Sequence, residues 1–271
     1  MTVERLKLLI TVKTYPIPSA KYDELVCTAG VTEEGSFIRL YPIRFRDLPF
    51  SQQYAKYQWI EVDAEKHAGR DSRKESYRPR EDTLKIVGEK IGTQNNWAER
   101  ARYALRKRAP SMEALWEQQK QDRTSLGIIR PREIFDLEIA ADSANWNPRF
   151  LDAMKQQRLW DDRSATHEPP RKVPWKFHYH FRCDDERCKG NHRMMIEDWE
   201  AGALYWRCVD EGATPDKAAQ KVRQKFFDQM CAPKIDTHFF VGTVLEHGTW
   251  VIIGVFWPEK ETLGPLFDGN P

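Results

Sequence analysis

The sequence predicts an α+β protein: a small β-barrel-like module, a basic helical middle, and a C-terminal α+β unit built on a Cys/His loop and ending in a β-hairpin. Three observations predict this. Short runs with period-2 hydrophobicity dominate the first 63 residues, cations crowd the stretch after them, and two thiols and an imidazole fall within ten residues near position 190.

The first strand is read from Leu6, Leu8, Ile10 and Val12, which alternate with Lys7, Thr11 and Lys13. The prolines of YPIPSAKY break it, and ELVCTAGV, TEEG and SFIRLYPI read as a hairpin turning at Gly35. YQWIEVD adds a further strand, so residues 1–63 are expected to form the barrel-like module. Residues 64–160 form the basic loop and helical region. There NNWAERARYALRKRAP predicts a helix capped by Asn95 or Asn96 and ended by Pro110, and Ser111 caps a second helix, MEALWEQQKQD. LGIIRPREIFDLEIA returns to strand, and Asn147–Pro148 opens another helix, RFLDAMKQQRLW. Polar, proline-rich residues 161–174 read as a linker. In residues 175–271 a strand KFHYHF leads into the Cys/His loop. Helices follow from MIEDWEAGALYWRCV and from Thr214–Pro215, and THFFVGTV with TWVIIGVFW makes the closing hairpin.

Of the 271 residues, 40% are hydrophobic and 10 are Trp, enough to build real cores. The 43 basic and 41 acidic residues leave a net charge of only +2, so a nucleic-acid partner has to be argued from local patches. No apolar run approaches the roughly 20 residues of a membrane span, which excludes a helical membrane protein and points to the cytoplasm. Five cysteines, an odd number, do not read as a secreted disulfide framework.

In HFRCDDERCKGNHRMMIEDWE, Cys183, Cys188 and His192 have the spacing C-x4-C-x3-H. Thiolates and imidazole are the donors zinc prefers, and one short loop can offer three corners of a tetrahedron. A Cys183–Cys188 disulfide is the alternative use of those thiols. For the fourth corner the candidates are His180, His178 and Cys208, with His180 ranked first, Cys208 second, and a water or substrate third. The spacing is similar to part of the small CCCH zinc fingers, without their first cysteine.

Cations make the second signal. Arg73, Lys74, Arg78, Arg80, Arg102, Arg106 and Arg108 lie in the most basic stretch and are the candidate phosphate contacts. Arg39, Arg44 and Arg46, set among Phe37, Tyr41 and Phe45, form a second basic and aromatic run. No phosphate-loop, dinucleotide, nucleophile-elbow or HExxH motif is present.

The expected function is therefore nucleic-acid binding, DNA or RNA, by a non-catalytic protein carrying a structural Zn2+. The first alternative is a metal-dependent nuclease or hydrolase with Asp198 or Glu200 as base for a metal-bound water. Against it, residues two apart on a helix point to nearly opposite sides. The second alternative is an adaptor that binds a protein partner through its Trp-rich terminal unit.

Overall fold

In the computed structural model, the structure describes residues 2–19, 23–67, 71–149, 151–152, 168–245 and 248–260. The N-terminal half is a sheet closed on itself. Strand β1 (Val3–Lys13) pairs antiparallel with both β3 (Asp23–Val31) and β5 (Trp59–Lys66). The ring closes through β4 (Phe37–Ile43) and β6 (Ser76–Pro79), giving a five-strand barrel. Short strands β2 (Ile17–Ser19) and β7 (Lys85–Ile86) add to β3 and β5. Residues beyond 63, read above as a basic loop, thus supply barrel strands. The β3–β4 hairpin turns at Gly35 with φ +79°, a conformation that glycine adopts without steric cost.

Period-2 alternation decides which side chains fill the barrel. Leu8, Ile10, Leu40, Ile60 and Val62 point inward to one apolar cluster. Leu9, Val31 and Trp59 point outward, against α1 (Gln94–Ala104) and a second sheet. That sheet has the order β13 (Trp250–Phe256), β12 (His238–Thr243), β8 (Leu126–Ile129). Its opposite face, with Ile129, Phe239, Val241 and Ile252, packs into a third cluster. There it meets a sheet of order β11 (His192–Met195), β10 (Trp175–Cys183), β9 (Pro131–Ala141), and helices α3 (Trp199–Asp210) and α4 (Pro215–Arg223). The central sheet is buried on both faces, which explains why THFFVGTV and TWVIIGVFW are apolar throughout.

Two helix starts follow the sequence rules. Ser111 accepts from the Ala114 N–H and opens α2 (Met112–Asp122), while Thr214 accepts from the Lys217 N–H ahead of Pro215. The start of α1 does not. Asn95, Asn96 and Trp97 all have positive φ, and the Asn96 amide bonds both the N–H and the carbonyl of Glu259 in place of a helix cap. Of the helix expected after Pro148, residues 148–149 and 151–152 are helical, and most of the remainder lies outside the described residues, as do linker residues 161–167.

The two halves meet at a polar junction. Lys56 Nζ donates to both carboxylate oxygens of Asp198, at 2.6 and 2.8 Å, and all three atoms are buried. Beside it, Lys13 Nζ lies 4.1 Å from the Phe45 ring centroid and 5.1 Å from that of Trp199. Gly202 on α3 lets Tyr15 approach, since a Cβ there would fall 2.2 Å from the Tyr15 ring. Burial, with Lys56 nearby, draws the Lys13 ammonium down from 10.5 to about 8, against the smaller pull of Glu200 and Asp198 and with a small push from Lys90. Between those two pH values the unfolded chain holds a proton that the folded protein has released, so stability rises with pH across that window. Lys13→Met is expected to remove this rise; melting temperatures measured from pH 7 to 10.5 check it, and an unchanged slope contradicts it.

Candidate metal centre and basic surface

Strand β10 carries Phe177, Tyr179, Phe181 and Cys183 on its buried face. Its partner β11 begins at His192, placed opposite Phe181, so the His192 ring lies on the same face, 4.9 Å from the Phe181 centroid. The connecting turn brings Cys188 back: its N–H bonds the Asp185 carbonyl, and Gly190 has φ +73°. Cys188 Sγ then lies 3.2 Å from His192 Nε2.

The fourth donor arrives from seventy residues earlier in the chain. Glu113, in the first turn of α2, places Oε1 3.0 Å from His192 Nε2. The Ser111 cap fixes this approach, since its hydroxyl also donates to Asp185 Oδ2 at 2.5 Å. One ligand atom from each of Glu113, Cys183, Cys188 and His192 lies within 4.8 Å of the others. All five cysteines are free, so no disulfide joins Cys183 to Cys188.

A tetrahedron with bonds of about 2.0–2.3 Å has edges of roughly 3.3–3.8 Å, so the observed separations need only small adjustments to receive a cation. Three further features fit one. Glu113 is 8% exposed, and its Oε2 is buried without a partner. Backbone N–H groups of Cys183 and Gly190 point at Cys188 Sγ, at 3.3 and 3.4 Å, and that of Met112 points at Cys183 Sγ, at 3.4 Å. Such donors stabilise thiolate, the form that binds metal. Burial pushes the Cys183 thiol up to about 12, a penalty that a bound cation relieves by replacing the proton. A cavity of about 430 Å³ is lined by His180, Phe181, Asn191 and His192 among others, and of the four donors only His192 borders it.

His180 is not part of this group. Strand alternation puts His178 and His180 on the face opposite Cys183, where His180 Nε2 meets Glu138 Oε2 at 2.8 Å and His178 Nδ1 lies 3.3 Å from Arg193. Arg193, then His180, holds the Glu138 carboxyl down at about 2. Cys208, on α3, is also outside the group. Asp198 is the N-cap of α3, accepting from the Glu200 N–H, and is bound to Lys56; Glu200 is 59% exposed, 3.7 Å from Lys56. Neither carboxylate contributes to the donor group. Sequence reasoning missed Glu113 because its only local signal was that of an ordinary acid in a helix first turn.

The sequence-predicted cations divide into two sets. Arg73 binds Asp71 and the Thr243 carbonyl, Lys74 binds Asp122, and Arg80 binds Glu65. Arg78, on β6, also has a partner. Arg39 is fully buried, donating to Ser76 and Ser125, while Arg44 and Arg46 pair with Glu81 and Glu24. Around the end of α1 the partners are different. Arg106 Nη1 donates to the Glu33 carbonyl and Lys107 Nζ to the Ser36 hydroxyl, both neutral groups. Among the described residues, Arg102 and Arg108 have no carboxylate at ion-pair distance.

Fold and site together define a mixed α+β protein with an N-terminal closed barrel and a Glu/Cys/Cys/His group close enough to hold a metal ion. The chain belongs to the family DUF8757, described as a domain of unknown function, whose model matches residues 107–270. A second domain of unknown function, DUF8758, matches residues 4–106. No curated protein matches. Among solved structures the chain is similar to one titled "Structure of murine DNA binding protein bound with ds DNA", at 11% identity and a TM-score of 0.32, covering 98% of this chain and 100% of that one. Among the described residues, no helix is long and apolar enough to cross a membrane.

Proposed function

We propose that this protein binds nucleic acid without chemistry of its own, and that a structural zinc ion held by Glu113, Cys183, Cys188 and His192 fixes its C-terminal unit. Two thiolates, an imidazole and a carboxylate form a borderline-soft set that suits zinc better than magnesium or calcium. Four protein donors close the coordination shell, which is the structural rather than the catalytic arrangement.

The observation that carries the nucleic-acid reading is the exposed run Arg102, Arg106, Lys107, Arg108: Arg106 and Lys107 bond neutral groups and Arg102 and Arg108 meet no carboxylate among the described residues, whereas Arg73, Lys74 and Arg80 are bound to carboxylates. An uncompensated basic surface is where phosphate oxygens gain most and displace fewest internal ion pairs. Arg73, Lys74, Arg78 and Arg80 take a secondary part in this reading, because phosphate must compete with their existing partners.

Polarisation assays with a labelled oligonucleotide at increasing salt test the proposal. Three phosphate contacts predict a log–log slope of about −2 to −3 and near-complete loss of binding in Arg102→Glu/Arg106→Glu/Arg108→Glu. Affinity that hardly changes from low to physiological salt defeats it.

A further inference from the structure

Beside the basic run lies an aromatic surface that the barrel does not need for closure. Trp59 leaves β5 on the outer face, opposite Leu9 of β1, and Tyr103 rises from α1 to meet it edge-on, with centroids 5.2 Å apart at 90°. Both rings are only half-buried. Lys7 Nζ stands 5.3 Å from the Trp59 centroid and the Arg102 guanidinium 5.5 Å from that of Tyr103. Lys7, Trp59, Tyr103 and Arg102 therefore run as two adjoining rings with a cation at each end, and Arg106, Lys107 and Arg108 follow along the chain. The acids nearby are Glu33, paired with Lys7; Glu61, opposite Lys7 on β5 and paired with Arg5; and Glu34, hydrogen-bonded to Thr32 and within electrostatic reach of Arg106 and Lys107.

Resting on the nucleic-acid reading above, we infer that this surface takes single-stranded nucleic acid: unpaired bases stack on Trp59 and Tyr103, while phosphates lie on Arg102, Arg106 and Arg108. A duplex hides its base faces inside its own stack, so partly exposed rings beside cations reward only an unpaired strand. Ring stacking tolerates any base, so the surface selects strandedness rather than sequence.

The test compares a labelled 15-mer of DNA and of RNA, each single-stranded and as duplex, with an abasic strand of equal length, at one salt concentration. Single strands are expected to bind at least about ten-fold tighter than duplex or abasic strand, and Trp59→Leu and Tyr103→Ser each to weaken them at least about five-fold with the salt slope unchanged. Equal binding of single strand, duplex and abasic strand overturns the inference while leaving phosphate binding intact. Absence of any salt-dependent binding overturns both readings. Because Trp59 also packs beside the Leu9 cluster, photocross-linking of 4-thiouridine RNA to the unaltered protein supplies a variant-free readout. Cross-links in the peptides containing Trp59 or Tyr103 support stacking there, and cross-links confined elsewhere refute it.

Discussion

Replacing both thiols, in Cys183→Ser/Cys188→Ser, is expected to abolish a content of about one zinc per chain and to lower the melting temperature by more than about 10 °C. The site joins α2 to the β10–β11 hairpin across seventy residues of chain. Asp185, held well below the usual carboxylate range by Arg187 and then Ser111, also ties hairpin to helix, as do Arg187 with Glu117 and the Trp116 ring against His192. Structural zinc contributes about 10–16 kcal/mol of apparent binding energy in small zinc-finger peptides. Here a large core persists without it, so only part of that energy appears as lost stability, and a loss of about 4 kcal/mol already shifts a protein of this size by roughly 10 °C. Elemental analysis and calorimetry measure both effects. Glu113→Gln should weaken zinc at least about a hundred-fold, whereas His180→Ala and Cys208→Ser should leave content at one. Full zinc content in Glu113→Gln rejects the four-donor assignment.

Removing Lys56 is the second large effect. Lys56→Met leaves the Asp198 carboxylate buried at the junction, without its ammonium partner, while it still caps α3. Stranding one member of a buried pair costs about 3–5 kcal/mol, roughly 6–20 °C at this size. The double variant Lys56→Met/Asp198→Asn should recover most of that loss, because a neutral amide keeps the cap without an uncompensated charge. A shift under 2 °C in Lys56→Met refutes a stabilising role for the pair. Lys56 comes from the barrel and Asp198 from the unit behind it, so the experiment also measures how firmly residues matched by the two family models are tied.

Much of the fold was legible in local patterns. Leu6 to Val12, the Gly35 hairpin, Ser111, Thr214–Pro215 and the terminal hairpin each carry their signal within a few residues. The three hairpin donors were legible for the same reason, since their spacing is a property of one loop. Asn96 misled because its amide suits both a helix cap and a distant backbone, and Glu259 lies too far along the chain to be anticipated.

What the sequence determined by itself was therefore the content of many elements and the grouping of Cys183, Cys188 and His192 on one loop, because strand period, caps and loop spacing act over one or two turns of chain. Only the tertiary structure decided that Glu113 and not His180 completes the donor group, that Asp198 binds Lys56, and which arginines keep their charge unpaired. Each of those depends on which distant segments pack together, and alternation along β10 then sends Cys183 to the core and His180 to the opposite face.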